Sequence, residues 1–312
     1  MEKLAKLKSE ISKVIIGKEE ETELLTIALL FNGHILLESV PGTGKTQLAK
    51  SFSRCINGEF SRIQFTPDVL PSDVTGIQFF NPKTHEFELR PGPIVANIVL
   101  ADEINRATPR TQSSLLEVME ERQVTIDGIS VKVQEPFMVI ATQNPVDSQQ
   151  GTFQLPAAQM DRFLFKLEMS YPSLEEEKKI LQNGRAGSSA AVIEMILNHE
   201  EIMHMKNEVQ QIKINEAIEE YLLEVIRKTR QHPDIDLGAS PRAALALMKA
   251  AQGRAYIKDK TFVTPDDIKH MVPFVLGHRL ILSTEASLTK TMTNVLEDVL
   301  ESVPVPVETG SL

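Results

Sequence analysis

One stretch limits what this chain can fold into more than any other. Ser39-Val40-Pro41-Gly42-Thr43-Gly44-Lys45-Thr46 lies between the apolar run Ile35-Leu36-Leu37 and a segment with helical periodicity. From Lys45 to Asn57 the apolar residues Leu48, Phe52, Cys55 and Ile56 fall at i, i+4, i+7 and i+8, one helix face, and Gly58 stands where a C-terminal cap belongs. Strand, glycine loop and helix in this order set a curl of backbone N–H groups in front of the positive end of a helix. Gly42 and Gly44 allow the curl, Lys45 reaches the β- and γ-phosphates of a nucleotide, and the Thr46 hydroxyl takes one position on Mg²⁺. The usual form of this motif, GxxxxGK[ST], begins with glycine, and Ser39 holds that place here. The tight curl spans Gly42 to Lys45, so the substitution is mild. Pro41, Gly42, Thr43, Gly44, Lys45, Thr46 and Gln47 are the candidate nucleotide-binding residues.

The chain has 312 residues, room for two domains. No run of about 18 apolar residues exists to span a bilayer, and Met1-Glu2-Lys3-Leu4 lacks the apolar core of a signal peptide, so a cytoplasmic location without direct membrane insertion is expected. A single cysteine, Cys55, excludes disulfide frameworks and multi-cysteine zinc sites and reads as a reduced core residue. The formal net charge of −10, with no concentrated basic block, opposes a polyanion and argues against nucleic acid as partner. The seven histidines form no ligand set; His199 and His204 are five apart, off a common helix face.

In chain order, residues 2 to 13 read as a charged helix with Leu4, Leu7 and Ile11 on one face. Val14-Ile15-Ile16-Gly17 follows; its residues are suited to wall an adenine ring or to serve as ordinary core, and they do not choose between the two. A second helical run ends at Asn32-Gly33. Phe60 to Phe65 alternates like a strand, whereas Gly76 to Gly92 holds no sustained period and reads as a protruding insert. Ile94 to Ala101 is an apolar run broken by Asn97, the pattern of a strand buried on both faces, and it ends in Asp102-Glu103. Carboxylates at the C-terminal end of such a strand sit where open α/β sheets place ligands. Asp102 would order Mg²⁺, and Glu103 would orient or deprotonate the attacking water.

Thr108 and Pro109 start the next helix, and Arg122 to Val133 reads as a hairpin turning at Asp127-Gly128. Phe137 to Ala141 is another buried strand, delivering Thr142-Gln143-Asn144-Pro145 level with Asp102; the Asn144 amide can donate to a γ-phosphate oxygen and accept from the lytic water. Leu155 to Phe163 is a short helix running into a strand, Phe163 to Leu167, and Arg162 either pairs with Asp161 or meets a neighbour's γ-phosphate. Tyr171-Pro172 marks a domain boundary, after which Ser173 to Glu176 forms a capping box and the signal is helical to Val303, interrupted by a loop at Asn183 to Ala190. Ser240 reads as an N-cap and Pro241 as the first helical residue, which leaves Arg242 where the helix dipole disfavours a cation by about 0.3–1 kcal/mol. A bound phosphate more than offsets that, and a salt bridge or simple exposure is the alternative. The expected division is 1–171, an α/β nucleotide-binding domain; 172–303, a helical domain; and 304–312, a tail.

Taken together, Val14 to Gly17, Ser39 to Thr46, Ala101-Asp102-Glu103-Ile104-Asn105-Arg106-Ala107, Ala141 to Pro145, Gln159 to Phe163 and Gly238-Ala239-Ser240-Pro241-Arg242 resemble the MoxR family of AAA+ ATPases, in the family's order and over residues 14 to 282. The resemblance implies an α/β P-loop core with a five-stranded parallel sheet of order 5-1-4-3-2 and an all-helical lid domain, and a hexameric ring of identical subunits. It makes Lys45 and Thr46 the Walker A residues, Asp102 and Glu103 the Walker B pair, Asn144 sensor 1, Arg162 the arginine finger and Arg242 sensor 2, and it assigns Ile15, Ile16 and Gly17 to the nucleotide. Gly76 to Gly92 and Arg122 to Val133 match the helix-2 and pre-sensor-1 inserts of this clade. The implied activity is Mg²⁺-dependent ATP hydrolysis coupled to chaperone-like remodelling or maturation of client proteins, often ones carrying von Willebrand factor type A domains and sometimes with metal insertion. Three alternatives stand beside it: a nucleic-acid motor, a magnesium-chelatase-like motor subunit, and an ATP-gated scaffold with little turnover.

Overall fold

The apolar runs become the strands of one sheet, and their order decides which strand ends meet. The computed structural model describes residues 2–40, 42–144, 152–185 and 193–306. Helices α1 (Glu2–Ser12) and α2 (Glu19–Leu30) precede strand β1 (Ile35–Ser39), the phosphate-loop helix α3 (Lys45–Cys55) and strand β2 (Phe60–Gln64). A short helix α4 (Pro71–Thr75) leads into a hairpin of β3 (Gly76–Asn81) and β4 (Glu86–Pro91), then strand β5 (Ile98–Asp102) and helix α5 (Pro109–Glu121). A second hairpin, β6 (Gln123–Ile126) with β7 (Ile129–Lys132), comes before strand β8 (Met138–Gln143), helix α6 (Ala157–Met160), strand β9 (Phe165–Met169) and helix α7 (Leu174–Arg185).

The five-stranded sheet runs β2-β5-β8-β1-β9, and β1 pairs with β8, β8 with β5, and β5 with β2 in parallel. Counted along the chain, this is the 5-1-4-3-2 order that the resemblance implies. Every residue of β5 is buried, as are Leu36, Leu37, Val139, Ile140 and Ala141 on the neighbouring strands. Parallel strands covered on both faces read as continuous apolar runs for this reason. Leu115, Leu116 and Met119 of α5 pack in the same core cluster as Val99, Ala101, Val139 and Ala141, and burying each such side chain contributes about 1.5–3 kcal/mol. Thr108 caps α5 by accepting the Thr111 amide, with Pro109 in the first turn, as the sequence predicts.

The structure departs from the sequence reading in several places. The apolar run from Ile94 becomes a strand only at Ile98, because Asn97 is pinned by its side chain: Oδ1 accepts the Glu59 amide at 2.9 Å and Nδ2 donates to the Pro136 carbonyl at 2.9 Å. Ile94 is buried in a turn, so its apolarity marks burial and not extended backbone. Helix α3 ends at Cys55, and Asn57, not Gly58, takes the left-handed conformation, with φ 51°. Asn183 to Arg185, expected in a loop, are the last residues of α7; the rest of that expected loop from 186, together with Pro41, Pro145 and tail residues 307–312, lies outside the described residues. The capping box at Ser173 forms, with the Ser173 amide donating to Glu176 Oε2 at 2.6 Å.

The chain divides into two compact units, Met1–Phe163 with Leu167–Ile202, and Leu164–Lys166 with Met203–Leu312. Helix α7 belongs to the first unit, so this division differs from the boundary expected at Tyr171-Pro172. Beyond α8 (His199–Val209), the second unit holds α9 (Glu216–Thr229), a strand β10 (Ile235–Leu237), α10 (Pro241–Ile257), α11 (Pro265–Leu276), a strand β11 (Ile281–Leu282), α12 (Thr284–Thr289) and α13 (Met292–Glu301). From α8 onward its described residues are helical apart from the antiparallel β10–β11 pair and an isolated bridge between Lys213 and Phe262, neither of which the sequence reading has. Segments of three and two residues are too short to show a period of two. Among the described residues no helix is long and apolar enough to cross a membrane.

Candidate active site

The strand register brings the sequence motifs to one edge of the sheet. Gln64 lies opposite Asp102, Ala101 opposite Ala141, and Leu37 opposite Thr142, so β2, β5, β8 and β1 end at the same level. Gly42, Gly44, Lys45, Thr46, Gln47, Asp102, Glu103 and Asn144 line one cavity of about 450 Å³ there, together with Arg62 and Gln64. Gly42 and Gly44 hold φ of 86° and 88°, a region that a side chain disfavours, and the space where a Cβ would stand is clear at both. Gly44 is the N-cap of α3 and offers no side chain to its first-turn amides, so those donors face the loop. Thr43 is buried, its hydroxyl donating to the Val40 carbonyl at 3.2 Å. Ser39 ends β1 buried, and its hydroxyl has no hydrogen-bond partner among the described residues.

Asp102 is the most constrained carboxylate of the cavity. Its Oδ1 accepts the Thr142 hydroxyl at 2.6 Å and lies 3.8 Å from Lys45 Nζ; its Oδ2 accepts Arg62 Nη2 at 2.6 Å and Nε at 3.2 Å. The Thr142 hydroxyl in turn accepts the Glu103 amide at 2.9 Å, which locks the end of β8 to the Asp102-Glu103 step. Glu103 adopts the left-handed conformation, φ 58° and ψ 49°, at the start of a single helical turn, Ile104–Arg106. Holding a non-glycine residue there costs about 1 kcal/mol and turns its side chain out of the strand direction, into the cavity. Its Oε2 accepts Gln64 Nε2 at 3.0 Å and lies 3.3 Å from Arg106 Nε.

Sequence reasoning missed Arg62, Gln64 and Thr142. Arg62 and Gln64 are two apart on β2 and so share a face, a polar i, i+2 pair on the strand next to Asp102, and that pairing was the available signal. Thr142 was visible as part of a strand end, without a role.

The chain's central region matches the family model described as the ATPase family associated with various cellular activities (AAA) over residues 34–165, and the AAA lid domain over residues 227–300. Chaperone MoxR1 of Mycobacterium tuberculosis is 39% identical over 95% of this chain and 81% of its own length. This chain belongs to the MoxR family of AAA+ ATPases. The uncharacterised YeaC protein of Bacillus subtilis is 47% identical to this MoxR-family chain, over 99% of it and 97% of YeaC. A crystal structure of a Cytophaga hutchinsonii protein, provisionally named an ATPase, superimposes with a TM-score of 0.91 at 35% identity, over 98% of this chain and 96% of that one.

Within the first unit of the MoxR-family chain, Arg162, Ile15, Ile16 and Gly17 are not among the described residues that line this cavity. Arg162 follows α6 and lines a different cavity with Ser113, Glu117 and Glu120; its Nη2 is 2.9 Å and its Nε 3.0 Å from Glu120 Oε2. Ile15, Ile16 and Gly17 form the α1–α2 connection, with Ile15 buried and Gly17 at φ 73°. Arg242 is in the second unit, exposed in the first turn of α10, where Ser240 accepts the Ala243 amide at 3.1 Å and Pro241 opens the helix.

Proposed function

We propose that this chain is a Mg²⁺-dependent ATPase that assembles into a ring and remodels or matures partner proteins. One observation carries the reading: the glycine turn, Lys45 and Thr46 share a single cavity with Asp102, Glu103 and Asn144, delivered by three different strand ends. The donor set suits ATP with Mg²⁺, because a carboxylate and a hydroxyl are the hard oxygen ligands that ion takes, and the α3 amides and Lys45 neutralise phosphate oxygens. Thr46 and Asp102 would hold the metal, which supplies charge neutralisation of the transferring phosphoryl group. Glu103 then accepts a proton from the attacking water or orients it, and the Asn144 amide fixes that water against the γ-phosphate.

Arg162 has the role of an arginine supplied to a neighbouring subunit, and Arg242 that of a phosphate contact from the helical unit, consistent with a cation held where the helix dipole disfavours it. Ile15, Ile16 and Gly17 are assigned to the adenine. The chaperone part of the reading draws on Chaperone MoxR1, and client proteins with von Willebrand factor type A domains, or clients receiving a metal, are the first to try.

ATP hydrolysis per subunit, measured against protein concentration with size followed in parallel, tests the reading. Specific activity should rise as the protein assembles. Glu103→Gln should keep nucleotide binding and assembly while turnover drops by at least about a hundredfold. Flat activity across concentration, or a Glu103→Gln variant that hydrolyses ATP normally, would refute it.

A further inference from the structure

The two carboxylates of the cavity are joined by a side-chain relay that the phosphate-loop chemistry does not require. Arg62 donates from Nη2 to both Asp102 Oδ2 and Gln64 Oε1, each at 2.6 Å, and Gln64 Nε2 donates to Glu103 Oε2 at 3.0 Å. We propose that Arg62 is a positioning residue: beside Lys45 it is a second counter-cation of Asp102, and it gives up that carboxylate when a divalent cation is taken there. The inference rests on the reading of Asp102 as a magnesium ligand.

Asymmetry of burial sets which partner moves. Asp102 keeps 8% of its side-chain surface and is fixed from the other side by Thr142, whereas Arg62 keeps 45% and stands on β2 at the edge of the sheet. A nearly buried carboxylate needs a compensating cation, and a forked guanidinium supplies one with two hydrogen bonds. A divalent cation bound by the same carboxylate repels that guanidinium at close range. Asp102 has no freedom to turn away, so Arg62 leaves by its exposed side. Gln64 Oε1 loses its donor in the same event.

The test uses the full chain and binding, not turnover. A fluorescent, non-hydrolysable ATP analogue is held at a fixed concentration while Mg²⁺ is titrated, and the half-saturating Mg²⁺ is read for wild type, Arg62→Ala, Arg62→Lys and Arg106→Ala. With its competitor gone, Arg62→Ala should need about fivefold less Mg²⁺, the size expected for a half-exposed ion pair. Arg62→Lys keeps a cation near Asp102 and should move the midpoint back towards wild type. Arg106→Ala removes a charge that stands 3.3 Å from Glu103 Oε2 and should stay within about twofold of wild type. An unchanged midpoint in Arg62→Ala overturns the proposal, as does an equal shift in Arg106→Ala, which would make the effect a property of the summed field. If analogue binding by wild type and Asp102→Asn ignores Mg²⁺ alike, the metal assignment of Asp102 itself is wrong and the proposal falls with it.

Discussion

At the scale of single residues, His34 shows how a buried polar group ties elements together. It stands just before β1, with Val139 N–H donating to Nδ1 at 3.0 Å and Nε2 3.0 Å from the Met119 carbonyl, so the neutral ring carries its proton on Nε2 and joins β8 to the end of α5. Burial, with Arg122 nearby, lowers its pKa from 6.5 to about 4. Between those values the unfolded chain binds the extra proton and the folded chain does not. Stability is therefore full above pH 6.5 and falls as the pH drops towards 4. Unfolding in denaturant at pH 7 and pH 4.5 should show that His34→Gln, which keeps one donor and one acceptor, removes about 2 kcal/mol of the acid-induced loss. Cys55 is inert by the same physics: burial pushes its thiol up to about 12. Lys45, Thr46, Asp102, Glu103 and Asn144 were legible as residues of one cavity because each lies in a local pattern. Arg62 and Gln64 were not, because their partners lie about 40 residues away and only the sheet register brings them together.

At the scale of elements, the patterns that could be read were those with one buried face. The β6–β7 hairpin shows Val124 and Ile126 buried with Thr125 exposed between them, and its Asp127-Gly128 turn takes positive φ at both positions. The β3–β4 hairpin lacks such a face: Ile77, Phe79, Phe80 and Phe87 are all substantially exposed, so no alternation was available to read. Two features hold it in place. The Gln78 amide donates to Asp127 Oδ2 at 3.2 Å, linking the two hairpins. At its root the chain passes so closely that a Cβ on Gly92 would lie 2.3 Å from the Val74 carbonyl oxygen and 2.6 Å from the Gly76 nitrogen. These contacts are backbone and cannot swing aside, so Gly92→Ala should cost about 2 kcal/mol by forcing the root open. Hydrogen exchange should locate the damage, with faster exchange at the β3 and β4 amides and unchanged protection in β1, β5 and β8.

At the scale of the whole molecule, Arg162 separates a site complete in one chain from one completed by a copy. Within its own chain it pairs with Glu120 in a cavity that, among the described residues, shares no lining residue with the one holding Lys45 and Asp102. Its sequence pattern could not decide between a surface ion pair and a contact with a neighbour, since the deciding partner lies outside the chain; the ring itself rests on the family resemblance. Arg162→Ala and Glu103→Gln disable different things if the arginine acts on a neighbour. The first leaves a working cavity without its incoming arginine, and the second leaves a dead cavity in a subunit that still offers one. In a ring closed by heterologous contacts, an arginine that acts on a neighbour would stand at the cavity of the next subunit. Random one-to-one mixing then gives about a quarter of the junctions a working cavity next to a working arginine. Each variant alone should be nearly inactive with nucleotide binding kept, and the mixture should recover about a quarter of wild-type turnover per subunit. An arginine acting within its own chain predicts no recovery at any mixing ratio, since no subunit in the mixture would hold both groups. A silent mixture of subunits that still bind nucleotide and assemble would assign Arg162 to its own chain.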